Sequence, residues 1–143
     1  MSVFDNLVGK RINSILISDD KRSVVFKTVD GATFSYYTSG ECCNDVWINH
    51  MTGVEVLGEG NSFDILRGAL VIGSEDKGWT DDLSTGDDWG VINDGFFTLK
   101  TDRGYIDFEV RNSHNGYYGG SFEFDEHFDP NGDEEYREVL ADF

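Results

Sequence analysis

The sequence predicts an α+β fold: a twisted antiparallel sheet of about six strands, one helix packed on it, and an acidic C-terminal helix or tail. Three observations predict it. Runs rich in β-branched and aromatic residues recur between short turns that contain Gly and Asp. Between two groups of such runs, Cys43, Val46, Trp47 and His50 fall at i, i+3, i+4 and i+7, the spacing of one helical face. Near the C-terminal end Tyr136, Val139, Leu140 and Phe143 repeat a helical spacing within an acid-rich segment.

Taken in order, residues 3–8 read as a short turn leading into Gly9. Residues 12–18 alternate as a strand, Asp19-Asp20-Lys21 as a turn, and 23–29 as a second strand. Asp30-Gly31 is the strongest hairpin signal in the chain and hands over to a third strand at 32–38, completing a meander. A helix over 42–52 then plugs the sheet, with Gly53 at its end. Residues 54–72 supply one or two further strands, and 73–94 read as a long acidic loop holding Trp79 and Trp89. The runs 96–101 and 105–111 form a hairpin about Asp102-Arg103-Gly104. In its second strand Ile106, Phe108 and Val110 face one way and Asp107, Glu109 and Arg111 the other. Residues 112–120 are a turn, 121–125 an edge-like strand, and the segment after Pro130 the acidic helix or tail. At 143 residues the chain is one domain, with its core over about 7–124 and an acidic tail at 125–143.

Charge is the loudest global signal. There are 28 acids against 11 bases, net −17, with a pI near 4.2. Residues 75–94 hold seven acids and one Lys, net −6, and 123–143 hold nine acids and one Arg, net −8, so the other 102 residues carry only −3. Such a field repels nucleic acid and anionic membranes and favours a basic protein surface or cations. A solvated surface of an acidic or halophilic proteome explains the same balance. The two cysteines are adjacent, which disfavours an ordinary disulfide between them. No apolar run approaches a membrane span and the N-terminus does not read as a signal peptide, so a reducing cytoplasm is expected.

Chemistry-bearing motifs are few. Cys42, Cys43 and His50 fall short of a closed zinc site, and Glu41 and Asp45 beside the sulfurs disfavour a thiolate nucleophile. Asp129, Asn131 and Asp133 open like a calcium loop. Glu134 occupies the position that an EF-hand gives to Gly, and Leu140 the place of its bidentate Glu, which leaves at most a weak cation site. The pairs Asp81-Asp82 and Asp87-Asp88 have no base or nucleophile beside them and read first as a solvated acidic face. The segment Asn115-Gly116-Tyr117-Tyr118-Gly119-Gly120 has no phosphate or dinucleotide fingerprint, and no cofactor is expected.

Two blocks carry a resemblance. Gly40-Glu41-Cys42-Cys43-Asn44-Asp45-Val46-Trp47-Ile48-Asn49-His50 resembles the G-D-C-C-S-x-x-W-I/V-E-H block of small uncharacterised proteins common in tailed-phage genomes. Thr101-Asp102-Arg103-Gly104 and Arg111-Asn112-Ser113-His114-Asn115-Gly116-Tyr117-Tyr118-Gly119-Gly120 are similar to a second block of that family. With Leu7 to Ile12 and the Asp20-Lys21-Arg22 turn, the likeness covers residues 7 to about 124, and the 75–94 segment and the tail depart from it. The resemblance implies a phage accessory protein in the cytoplasm of an infected bacterium, and it brings no catalytic residues.

The expected function is therefore non-enzymatic: a phage-encoded inhibitor that binds a host nucleic-acid-handling defence protein, such as a CRISPR effector or restriction enzyme, through a DNA-mimicking acidic surface. Its partner-binding residues would be Asp76, Trp79, Asp81, Asp82, Asp87, Asp88 and Trp89 from the loop, and Glu123, Asp125, Glu126, Glu134 and Glu135 from the tail. The carboxylates would stand in for phosphates and the tryptophans would anchor the interface. The partner is the basic surface of a host protein, with no direct nucleic acid and no membrane. The alternative is a divalent-cation-binding structural or regulatory module using Asp129, Asn131 and Asp133, and an enzyme built on Cys43 and His50 ranks last.

Overall fold

In the computed structural model, residues 2–40, 44–54, 63–82, 90–114, 119–132 and 134–143 are described. Nine strands run through them: β1 Ile12–Ser18, β2 Ser23–Thr28, β3 Thr33–Ser39, β4 Asp45–Val54, β5 Val71–Trp79, β6 Val91–Thr101, β7 Gly104–His114, β8 Ser121–Phe124 and β9 Tyr136–Glu138. They form two antiparallel sheets, a first in the order β8-β3-β2-β1-β9 and a second in the order β4-β7-β6-β5. Short 3-10 turns at Asp5–Leu7 and Phe63–Leu66 are the only helical pieces among the described residues. No helix among them is long and apolar enough to cross a membrane.

The inner faces of the sheets meet in one aromatic core. Phe4, from the N-terminal segment, is fully buried and lies 5.7 Å from Phe26 and 5.0 Å from Tyr36 of the first sheet. It lies 4.9 Å from Phe108 of the second sheet, ring centre to ring centre. Large rings at these tilted and edge-on angles let a modest apolar fraction fill a core. Burial pushes the Tyr36 hydroxyl's pKa well up, and that oxygen has no hydrogen-bond partner among the described residues.

The meander β1-β2-β3 and the β6-β7 hairpin lie where alternation and turn chemistry place them. Gly31 adopts φ +89° in the tight turn between β2 and β3, a conformation that costs a side chain energy.

The α+β expectation is overturned: the described fold is all β. The helix expected over 42–52 is the strand β4, with Cys42 and Cys43 outside the described residues. Its inward positions are Val46, Ile48 and Met51, because a bulge inserts one residue between Ile48 and His50. That extra residue breaks the two-residue period and counterfeits helical spacing. Val46 and Trp47, read as one helical face, occupy successive strand positions and so point to opposite faces. The β-branched Val46, Ile48, Thr52 and Val54 fit a strand better than a helix.

The C-terminal helix is likewise an extended strap. Residues 136–138 pair with β1, and Val139 N–H continues to the Ile15 carbonyl at 2.8 Å. Phe143 and Met51 exchange backbone hydrogen bonds of 3.1 Å each way, so the strap ties an edge of the first sheet to an edge of the second. A short acidic helix would bear the cost of nucleation alone, whereas two sheet edges offer the extended segment backbone partners at 136–139 and at Phe143.

Among its described residues, the acidic loop expected over 73–94 is mostly strand too. β5 runs to Trp79 and β6 begins at Val91, and two bulges in β5 hide its alternation.

Candidate functional site

The first sheet's topology dictates its outer face. β8 lies beside β3 at one edge and β9 beside β1 at the other, so residues 125–135 must cross about four strand spacings, roughly 19 Å. Described residues of that stretch, Asp125, His127 to Pro130, Gly132 and Glu134, line a cleft of about 530 Å³ over the outer face. Alternation sets its floor: Val24 and Phe26 point into the core, while Ser23, Val25 and Lys27 point into the cleft. Tyr37 lies opposite Ser23 on β3, and Tyr136 lies opposite Ser18 on β9. Small serines thus run between two tyrosines, and the Tyr136 hydroxyl donates to Ser23 Oγ at 3.1 Å. Phe128 and Pro130 come from the crossing segment, with the Phe128 ring edge-on to Tyr136 at 6.1 Å.

Carboxylates crowd this face. Asp20, Asp125, Asp129 and Glu134 line the cleft, and Asp19, Glu123, Glu126 and Glu135 are exposed nearby in the chain. Among the described residues none of these eight is ion-paired with a Lys, Arg or His. Three serve their own turns: Asp20 accepts from Arg22 N–H, Asp125 from His127 N–H and Asp129 from Asn131 N–H, at 3.0, 2.9 and 2.9 Å. Glu123 accepts from the Tyr37 hydroxyl at 3.4 Å. Partial burial, then the adjacent Asp20 carboxylate, raise the Glu134 pKa above its ordinary 4.5. Of the bases in the cleft, Arg22 donates to Asp45 of β4, which leaves Lys27 and His127.

The second sheet's outer face is built differently. Asp94 on β6 stands opposite Arg111 on β7, and the guanidinium grips it by two bonds of 2.9 and 3.0 Å. The Asp94 side chain is 2% exposed. Burial pushes its pKa up, but Arg111 outweighs that and holds it below 3.8. Burial, and after it the neighbouring Asp94 carboxylate, raise the Glu109 pKa above 4.5. His50 Nε2 lies 3.3 Å from Glu109, and its Nδ1 lies 3.1 Å from the Phe143 carbonyl of the strap. Thr98 donates to Asp107 at 2.6 Å, Lys77 reaches Asp107 at 4.0 Å, and Lys100 meets Glu75 at 3.2 Å.

The residues singled out from sequence therefore divide. Glu123, Asp125, Glu126, Glu134 and Glu135 gather around the cleft. Asp76 and Asp82 are structural: Asp76 accepts from Ser2 Oγ and Val3 N–H at 2.8 and 3.0 Å, and Asp82 accepts from Ile92 N–H at 3.1 Å. Trp79 packs edge-on to Phe97 at 6.1 Å over Gly95, with 38% of its surface exposed, and Asp81 is exposed. Asp87, Asp88, Trp89 and Asp133 lie outside the described residues, as does Cys43. With Asp129 committed to Asn131 N–H, no group of three or more His, Cys, Asp or Glu suited to a metal ion occurs among the described residues. Asp19, Asp20, Tyr37, Phe128 and Tyr136 were not legible as one site, because only the crossing brings them together.

The blocks around 40–50 and 111–120 also converge. Asn44 Nδ2 donates to Asn112 Oδ1 at 3.0 Å and to the Gly119 carbonyl at 3.1 Å. A Cβ at Gly120 would stand 3.1 Å from Asn112 and Val46, so the close approach there favours glycine. A family model described as a domain of unknown function (DUF7448) matches residues 5–124. The chain belongs to this family. No curated protein and no solved structure matches it. The DUF7448 match takes in eight of the nine strands and ends at β8, so the crossing segment and strap that complete the cleft lie beyond it.

Proposed function

We propose that this protein is a non-enzymatic binding protein whose acidic face, around the cleft of the first sheet, docks on the basic surface of a partner. One observation carries the reading. Asp125, Glu126, Asp129, Glu134 and Glu135 of the crossing segment, Asp19 and Asp20 of the turn and Glu123 of β8 gather around one cleft, and none of these eight is ion-paired among the described residues. Uncompensated like charges cost stability, and their natural complement is a field of Lys and Arg. In its finer form the protein is a phage-encoded inhibitor, acting in the cytoplasm of an infected bacterium. It would occupy the nucleic-acid-binding surface of a defence enzyme such as a CRISPR effector or restriction enzyme. The resemblance of the two sequence blocks to tailed-phage proteins supports that form.

The test is inhibition of DNA cleavage by a panel of CRISPR effectors and restriction enzymes at rising salt. Inhibition should weaken steeply with salt and vanish in a variant with Glu123, Asp125, Glu126, Glu134 and Glu135 changed to Lys. A charge-reversed protein that still inhibits as the parent does would sink the reading.

A further inference from the structure

The cleft is more than part of an acidic surface. Its floor is low at Ser23, a small residue among the larger side chains of β2, and it rises at Tyr37 and Tyr136. Three strand spacings, about 14 Å, separate the strands that bear the two tyrosines. Phe128 adds a third ring from the crossing segment, and the volume falls within the roughly 300–1,000 Å³ of small-molecule sites. Such a hollow takes long side chains, not a flat surface. Aromatic walls with carboxylates at their margin select one chemistry, a cation carried on an apolar stem.

Resting on the binding reading above, we infer that this cleft receives an arginine side chain of the basic partner, its guanidinium stacked at the Phe128 and Tyr136 wall and hydrogen-bonded to the carboxylates. Arginine fits better than lysine. A guanidinium is planar, weakly hydrated and forked, so it can stack and hydrogen-bond at once, whereas an ammonium is a compact, strongly hydrated point charge. The cleft's own bases leave room for it. Arg22 is turned onto Asp45, so that of the lining bases Lys27 and His127 remain, against the four lining acids Asp20, Asp125, Asp129 and Glu134. Partial burial, and after it the neighbouring Asp20 carboxylate, raise the pKa of Glu134, and a guanidinium placed there would offset that repulsion.

Hexa-arginine and hexa-lysine peptides, titrated calorimetrically into the full chain at low salt, test this. Hexa-arginine should bind more tightly. Phe128→Ala should weaken it by about twofold to thirtyfold, the span of a cation–π contact from exposed to desolvated. Glu134→Gln should weaken it as well. Equal affinity for the two peptides, or unchanged hexa-arginine binding in both variants, overturns the assignment. Should Phe128→Ala not fold, an NMR titration of the unaltered protein decides. Ring signals of Tyr37, Phe128 and Tyr136 that move with hexa-arginine support the cleft, and shifts confined to other residues overturn it. Failure here is separable from failure of the binding reading: cleft variants that inhibit normally while the charge-reversed protein does not would remove the arginine and leave the acidic face standing.

Discussion

On the outer face of the second sheet, acids meet bases across the strands, Asp94 opposite Arg111 and Glu75 against Lys100. On the outer face of the first sheet, Asp20, Asp125, Asp129 and Glu134 gather around Tyr37 and Tyr136 with Arg22 drawn off to Asp45. One face is closed electrostatically and the other is open. Net charge alone does not distinguish them, because what matters is whether register places a base across from the acid. Where it does, the carboxylate belongs to the fold, and where it does not, the carboxylate is free to meet a partner.

The sharpest way to break this comparison is to remove a carboxylate from each face. Asp94→Ala removes the two-bond carboxylate from a half-buried Arg111 and should lower stability by about 3 kcal/mol, read from the midpoint of urea unfolding. Lys100→Ala removes the base of an exposed pair on the same face and should cost no more than about 0.5 kcal/mol. Glu134→Gln on the first sheet should leave stability unchanged or raise it slightly, within about 0.5 kcal/mol, since it relieves repulsion from Asp20. A loss at Glu134 as large as that at Asp94 would mean that the open face is structural after all.

How much of this was legible depends on how local the signal is. The meander and the β6-β7 hairpin follow from alternation and turn residues, which act over a few positions. β4 did not, because its bulge beside Asn49 turned a strand period into an apparent helix face. The strap did not either, since the extended form of 136–143 is set by edges on β1 and β4 that lie far away in sequence. The acidic residues of the crossing segment were visible as a charge block. Their junction with Tyr37 and the Asp19-Asp20 turn required the sheet order. Asp94 and Arg111 were visible only as separate charges, seventeen residues apart, until register set them face to face.

The finest discrimination between the faces is their response to pH. The Asp94 carboxyl, held below 3.8 by Arg111 against the pull of burial, contributes stability above 3.8 that is lost as pH falls through its folded value. Asp30, lowered to about 2 chiefly by the Thr28 hydroxyl and Lys10, is fully exposed and acts in the same direction. Glu109 and Glu134 have the opposite sign. Their folded values lie above 4.5, so each costs stability at neutral pH, and that cost fades as pH falls toward 4.5. The melting temperature should therefore rise as pH is lowered from 7 toward 4.5 and drop below 3.8. Circular-dichroism melts of Glu134→Gln and Glu109→Gln divide the rise between the open face and the closed one. A parent protein whose melting temperature falls steadily over 7 to 4.5 would show that neither carboxyl is held up, and the repulsion attributed to the open face would go with it.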